Sequence, residues 1–76
     1  MTWLPLTSKM LASVAFDAGK QILHVRFRKT GDVYRYFEFS AADYQAFLDS
    51  ESRGRFFLAH IRDHFPYERL AKLHAA

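Results

Sequence analysis

The chain has 76 residues, half of them hydrophobic, no cysteine, and a formal charge of +3 from eleven basic and eight acidic side chains. This length allows one domain with one small core, because such chains bury only about 60% of their unfolded surface, and the missing cysteines exclude disulfides and thiolate metal sites. No apolar run approaches the ~20 residues that span a bilayer, and Met1-Thr2-Trp3-Leu4-Pro5-Leu6 lacks the continuous apolar stretch of a signal peptide, so a cytoplasmic protein without membrane contact is expected.

Eight Phe, four Tyr and one Trp compensate for the small core, since each ring buries a large area for few rotatable bonds. Residues 1–9 read as an N-terminal extension, residues 10–70 as a single domain and residues 71–76 as a C-terminal tail. Met10 to Phe16 is a plausible first strand, closed by Asp17-Ala18-Gly19, with Gly19 expected to supply a positive φ. Leu23, Val25 and Phe27 alternate with His24, Arg26 and Arg28, the pattern of a half-buried strand. Lys29 to Asp32 form a turn, and Val33 to Phe39 the returning strand of an antiparallel hairpin.

Register decides which side chains share a face. A four-residue loop at Lys29–Asp32 sets Val25 opposite Tyr36 and Phe27 opposite Tyr34. It gathers His24, Arg26, Arg28 and Arg35 on the other face with Val33 and Phe37. A three-residue loop with Gly31 as a bulge would invert the faces. The first register is preferred because it keeps the charges together toward solvent.

Ser40 and Asp43 have the spacing of a helix cap, and Tyr44, Phe47 and Leu48 give the helix an apolar stripe. A second helix is expected from about Arg53 to His64, with Phe57, Ile61 and Phe65 on one side. Pro66 ends it and suits the start of a short third helix from Tyr67 to Leu73. The expected fold is α+β: a three-stranded antiparallel meander followed by two helices packed on one face, with that short terminal helix as an option.

The ordered set from Ser8 to about Leu70 resembles the KTSC domain, named for its occurrence at the C-terminus of some lysyl-tRNA synthetases and also found alone in small bacterial proteins. The resemblance rests on Phe16-Asp17, then Leu23, Val25 and Phe27, Gly31, and the Tyr34-x-Tyr36 pair. Tyr44, Leu48, Ser52, Gly54, Phe57, Ile61, Arg62 and Tyr67 complete it. Phe39-Ser40 stands where the family often has Val-Pro, and Leu58 where it often has asparagine. RNA binding is the role conjectured for that family, and the resemblance does not imply synthetase activity, since nothing in the chain resembles an aminoacylation domain.

Each candidate site has a functional and a structural reading. Tyr34 and Tyr36 can stack bases or pack under the helices. Arg26, Arg28 and Arg35 can meet phosphates or form an ordinary solvated face. Ser52, Arg53, Gly54 and Arg55 can hold an anion at a helix start, or Ser52 can simply cap it. Arg62 extends that second cationic surface. His60 and His64 lie at ligand spacing but lack a third ligand, so no metal and no cofactor are expected. No nucleophile, phosphate-loop or paired-carboxylate pattern appears, so no enzyme is expected. The leading reading is a non-enzymatic binding domain for structured RNA, tRNA included. The alternative is a protein-interaction or self-association module using Trp3, Phe56 and the other exposed rings.

Overall fold

The computed structural model describes residues 1–70; the tail at 71–76 and the last residues of the expected terminal helix lie outside them. Five strands form one antiparallel sheet in chain order: β1 (Leu4–Pro5), β2 (Leu11–Asp17), β3 (Ile22–Phe27), β4 (Val33–Tyr36) and β5 (Tyr67–Leu70). Between β4 and β5 the chain forms α1 (Ala41–Asp49), then α2 (Arg53–Phe56), which runs on into a π-helical turn, Phe57–Ile61. The α+β class and the antiparallel β2–β3–β4 meander are as expected. The sheet is wider by one strand on each edge.

Both added strands correct the sequence reading. The N-terminal extension at residues 1–9 adds an edge strand that the expected meander lacked: β1 pairs with β2, and the Leu6 amide donates to the Ala12 carbonyl at 3.0 Å. After Pro66 the chain forms β5 rather than a helix. A free β4 edge would leave backbone donors and acceptors unpaired, and β5 supplies them, setting Tyr67 opposite Tyr36 and Glu68 opposite Arg35. This partner is remote in sequence, so local propensity could not register it.

The hairpin loop has the expected length but starts one residue earlier. The Phe27 amide donates to the Asp32 carbonyl and the Gly31 amide to the Phe27 carbonyl, each at 2.9 Å, so the loop is residues 28–31. Gly31 takes φ 76°, a left-handed conformation that glycine adopts without strain. That requirement makes Gly31 the last loop residue and shifts the pairing by two. Val25 therefore opposes Tyr34, and Leu23 opposes Tyr36. A two-residue shift preserves the faces, so the expected division into an aromatic face and a charged face holds. At the preceding turn the positive φ falls on Gln21 (56°) and not on Gly19. β4 also stops at Tyr36, short of Phe39, where Glu38 turns the chain at φ 59°.

Helices and sheet meet in a core of Leu11, Val14, Leu23, Val25, Tyr36, Phe39, Phe47, Phe57 and Ile61. Each ring or branched chain fully buried contributes about 1.5–3 kcal/mol of transfer free energy. The rings interlock edge to face: Phe57 against Phe27 at 5.4 Å and Tyr36 at 5.6 Å, Phe39 against Phe65 at 4.9 Å. Ser40 and Asp43 cap α1 reciprocally, as expected: the Asp43 amide donates to Ser40 Oγ at 3.0 Å and the Ser40 amide to the Asp43 carboxylate at 3.2 Å.

Candidate ligand-binding groove

A groove of about 470 Å³ opens where the core face of β4 and β5 passes the end of the π-helical turn. Its floor is aromatic. Tyr34 and Tyr36 follow each other on one face of β4, and β5 sets Tyr67 beside them. The three rings cluster at 6.3 Å (Tyr34–Tyr36, planes 17° apart), 5.7 Å (Tyr34–Tyr67, 25°) and 5.8 Å (Tyr36–Tyr67, tilted by 33°). Tyr36 is buried at 2% exposure, Tyr34 is half-buried and Tyr67 is 58% exposed. The three centroids form a near-equilateral triangle, so the rings lie side by side as a cluster whose exposure rises from Tyr36 in the core to Tyr67 at the surface.

The π-helical turn shapes the opposite wall. Its wide closure is seen where the Arg62 amide donates to the Phe57 carbonyl at 2.9 Å. In an ordinary helix Arg62 would lie about 140° round from Phe57. The wider turn brings it nearer the Phe57 side, and Phe57 is wedged under Tyr36. Arg62 and Asp63 thus stand on the groove wall, with exposed Leu58, and Lys29 and Asp32 come from the β3–β4 loop. Asp32 is held by Arg69 at 3.2 Å. Among the described residues, Lys29, Arg62 and Asp63 make no ion pair. Burial raises the Tyr36 hydroxyl well above the ordinary phenol range, with Tyr34 and Tyr67 adding to the shift and Arg62 opposing it.

The other sequence-predicted cations are engaged within the fold. Arg28 clamps the N-terminal segment, donating to the carbonyls of Leu6 (2.7 Å), Ser8 (3.0 Å) and Leu11 (3.4 Å). Arg26 lies over the Trp3 ring at 5.3 Å and reaches the Gly31 carbonyl at 3.5 Å. Arg35 pairs with Glu68. Trp3 also meets the His24 ring edge-on at 6.3 Å, so the charged face of the sheet carries an aromatic cover from the N-terminal segment. His24 is held below its usual range by burial and by Arg35, with Asp17 partly offsetting them.

At the glycine turn, Ser52 Oγ accepts from the Arg55 amide at 3.2 Å, an ordinary N-cap. Arg53 donates back to the Ser50 and Leu48 carbonyls at 2.8 and 3.4 Å. Gly54 packs against Ser8, where a Cβ would stand 3.2 Å from the Ser8 hydroxyl oxygen. Arg55 is exposed. The structure thus brings together Tyr34, Tyr36 and Arg62 of the predicted site residues, and leaves Arg26, Arg28, Arg35, Ser52, Arg53, Gly54 and Arg55 outside the groove.

Sequence reasoning missed Lys29, Asp63 and Tyr67 as one site. Tyr67-Glu68-Arg69-Leu70 carries no apolar–polar alternation, so the sequence held no signal that would set Tyr67 beside Tyr34 and Tyr36.

These features define a small α+β domain whose helices cover one face of an antiparallel sheet beside an aromatic groove. The KTSC domain family model matches residues 7–65, and the chain belongs to that family. It is also similar to a KTSC domain protein from Yersinia pestis of known crystal structure, with 27% sequence identity and a TM-score of 0.86. That likeness covers 92% of this chain and 97% of the other. No curated protein matches the chain.

Proposed function

We propose that this is a cytoplasmic, non-enzymatic RNA-binding domain that takes an unpaired nucleotide of a structured RNA, tRNA being one such partner, into the groove. The carrying observation is the cluster of Tyr34, Tyr36 and Tyr67 on the groove floor, with Tyr67 58% exposed in the same groove as Lys29 and Arg62. A flat base stacks on the exposed Tyr67 ring at about 1–3 kcal/mol per base, and the two cations meet the flanking phosphates. This departs from a purely phosphate-led reading, because Arg26, Arg28 and Arg35 are committed to internal partners. Arg55, exposed on α2, remains available for a more distant phosphate.

The test is anisotropy titration of a labelled single-stranded RNA hexamer across a range of salt. Two or three phosphate contacts give a log–log slope of about −1.4 to −2. Changing Lys29 and Arg62 together to Ala should flatten it by about 1.4. Tyr67→Ala should weaken binding five-fold or more without changing the slope. Absence of binding at low salt, with mass that rises with protein concentration, would instead favour the self-association module.

A further inference from the structure

We infer that the groove selects guanine among the bases, with the Asp63 carboxylate reading its Watson–Crick edge. This rests on the RNA reading above and adds a specificity to it. A ring stacked on Tyr67 gains nothing in selectivity, because every base offers a π-face. Selectivity must come from the polar groups that share the groove.

Lys29 and Arg62 are cations suited to phosphate. Asp32 is engaged by Arg69 at 3.2 Å, and its side chain is only 16% exposed. The Thr30 hydroxyl oxygen accepts from the Asp32 amide at 3.2 Å. That leaves Asp63, an exposed carboxylate on the groove wall with no ion-pair partner among the described residues. Arg62, Asp63 and Tyr67 line the same groove, so a nucleotide that meets Arg62 and Tyr67 shares it with this carboxylate.

A carboxylate offers two acceptor oxygens and no donor at neutral pH. Guanine is the only common base with two adjacent N–H donors, N1 and N2, on its Watson–Crick edge. A carboxylate takes both at once. Adenine and cytosine set one amine beside a ring-nitrogen acceptor, and uracil sets one N–H between two carbonyls. Each of these places a lone pair against the carboxylate. The negative charge that weakens binding of RNA in general therefore acts here as a filter against the other three bases.

The experiment compares a uridine hexamer with hexamers carrying a single central guanosine, inosine or adenosine, each titrated into the parent chain and into Asp63→Asn. The expected result is that guanosine binds about ten-fold tighter than adenosine or uridine. Inosine, which lacks the N2 amine, should fall between them. Asp63→Asn should erase the guanosine preference while keeping or improving uridine binding, since it removes a charge that repels phosphate. Arg62→Ala should weaken all hexamers alike and keep the order. If all hexamers bind the parent equally, or the preference survives Asp63→Asn, the base reading is overturned and the groove as an RNA site stands. If no hexamer binds the parent, the RNA reading itself falls, and this inference with it.

Discussion

At the residue scale, side chains of one type play different parts. Arg35 pairs with Glu68, yet its Nε is buried with no hydrogen-bond partner, and an unsatisfied buried donor costs about 1–3 kcal/mol. Replacing Arg35 by Met keeps the packing of its stem and removes that donor, so the denaturation midpoint should stay level or rise. Arg35→Ala, which also removes the stem, should cost about 1 kcal/mol. A lower midpoint for Met than for Ala would refute this account. His24 gives the molecule a pH dependence. Burial and Arg35 lower its folded-state pKa beneath 6.5, the ordinary value. Its neutral form is therefore favoured by folding. The contribution is complete above pH 6.5 and shrinks as pH falls below it, because the unfolded chain takes up the proton first. Chemical denaturation at several pH values should show a shallower acid-side decline in His24→Gln than in the parent.

Two features stand out at the scale of elements. Gly54 occupies a helical position where alanine would ordinarily gain up to about 1 kcal/mol. Its added Cβ would press on Ser8 Oγ at 3.2 Å, and that oxygen cannot easily yield, because it accepts from the Met10 and Leu11 amides at 3.1 Å each. Gly54→Ala should therefore destabilise the parent by about 1 kcal/mol. In a Ser8→Ala background the same change should be neutral or stabilising, and a double-mutant cycle by urea denaturation measures the coupling. Equal effects in both backgrounds would show that the contact is not what demands glycine. The π-helical turn is the other feature. It keeps Phe57 and Ile61 buried while bringing Arg62 toward the groove. Nothing in Phe56-Phe57-Leu58-Ala59-His60-Ile61 distinguishes a π turn from an α-helix, because both spacings bury residues 57 and 61.

At the scale of the whole molecule, the ends of the described chain complete the sheet. β1 has two residues and exposed side chains, too little to hold itself. Arg28 ties down the segment that follows β1 through the Leu6 and Ser8 carbonyls, with a third bond to Leu11 at the start of β2, which makes an exposed side chain into a structural one. Arg28→Ala should cost about 1–2 kcal/mol, more than the half kcal/mol usual for an exposed position. The Leu6 amide should exchange with deuterium faster while the β3–β4 amides change in step with global stability alone. Unchanged exchange at Leu6 would mean that pairing with β2 suffices. β5 does the corresponding work at the other edge, and it also delivers Tyr67, so the strand that closes the sheet completes the groove.

Local chemistry made part of this legible in advance. Period-two alternation in Leu23–Arg28 and Val33–Tyr36 specified which side chains share a face, and a two-residue change of register left that intact. Ser40 and Asp43 specified the start of α1, because a capping box needs only residues three apart. The family was readable from ordered spacings such as Tyr34-x-Tyr36 and Ser52-x-Gly54. The tertiary structure alone decided that Tyr67–Leu70 is a strand, because its hydrogen-bond partners lie more than thirty residues earlier on β4. It alone decided that Arg26, Arg28 and Arg35 have internal partners, since a sequence records a charge but not what the fold brings against it. The groove follows the same rule: Lys29, Tyr34, Arg62, Asp63 and Tyr67 come from a loop, two strands and the end of a helix, and only folding brings them together.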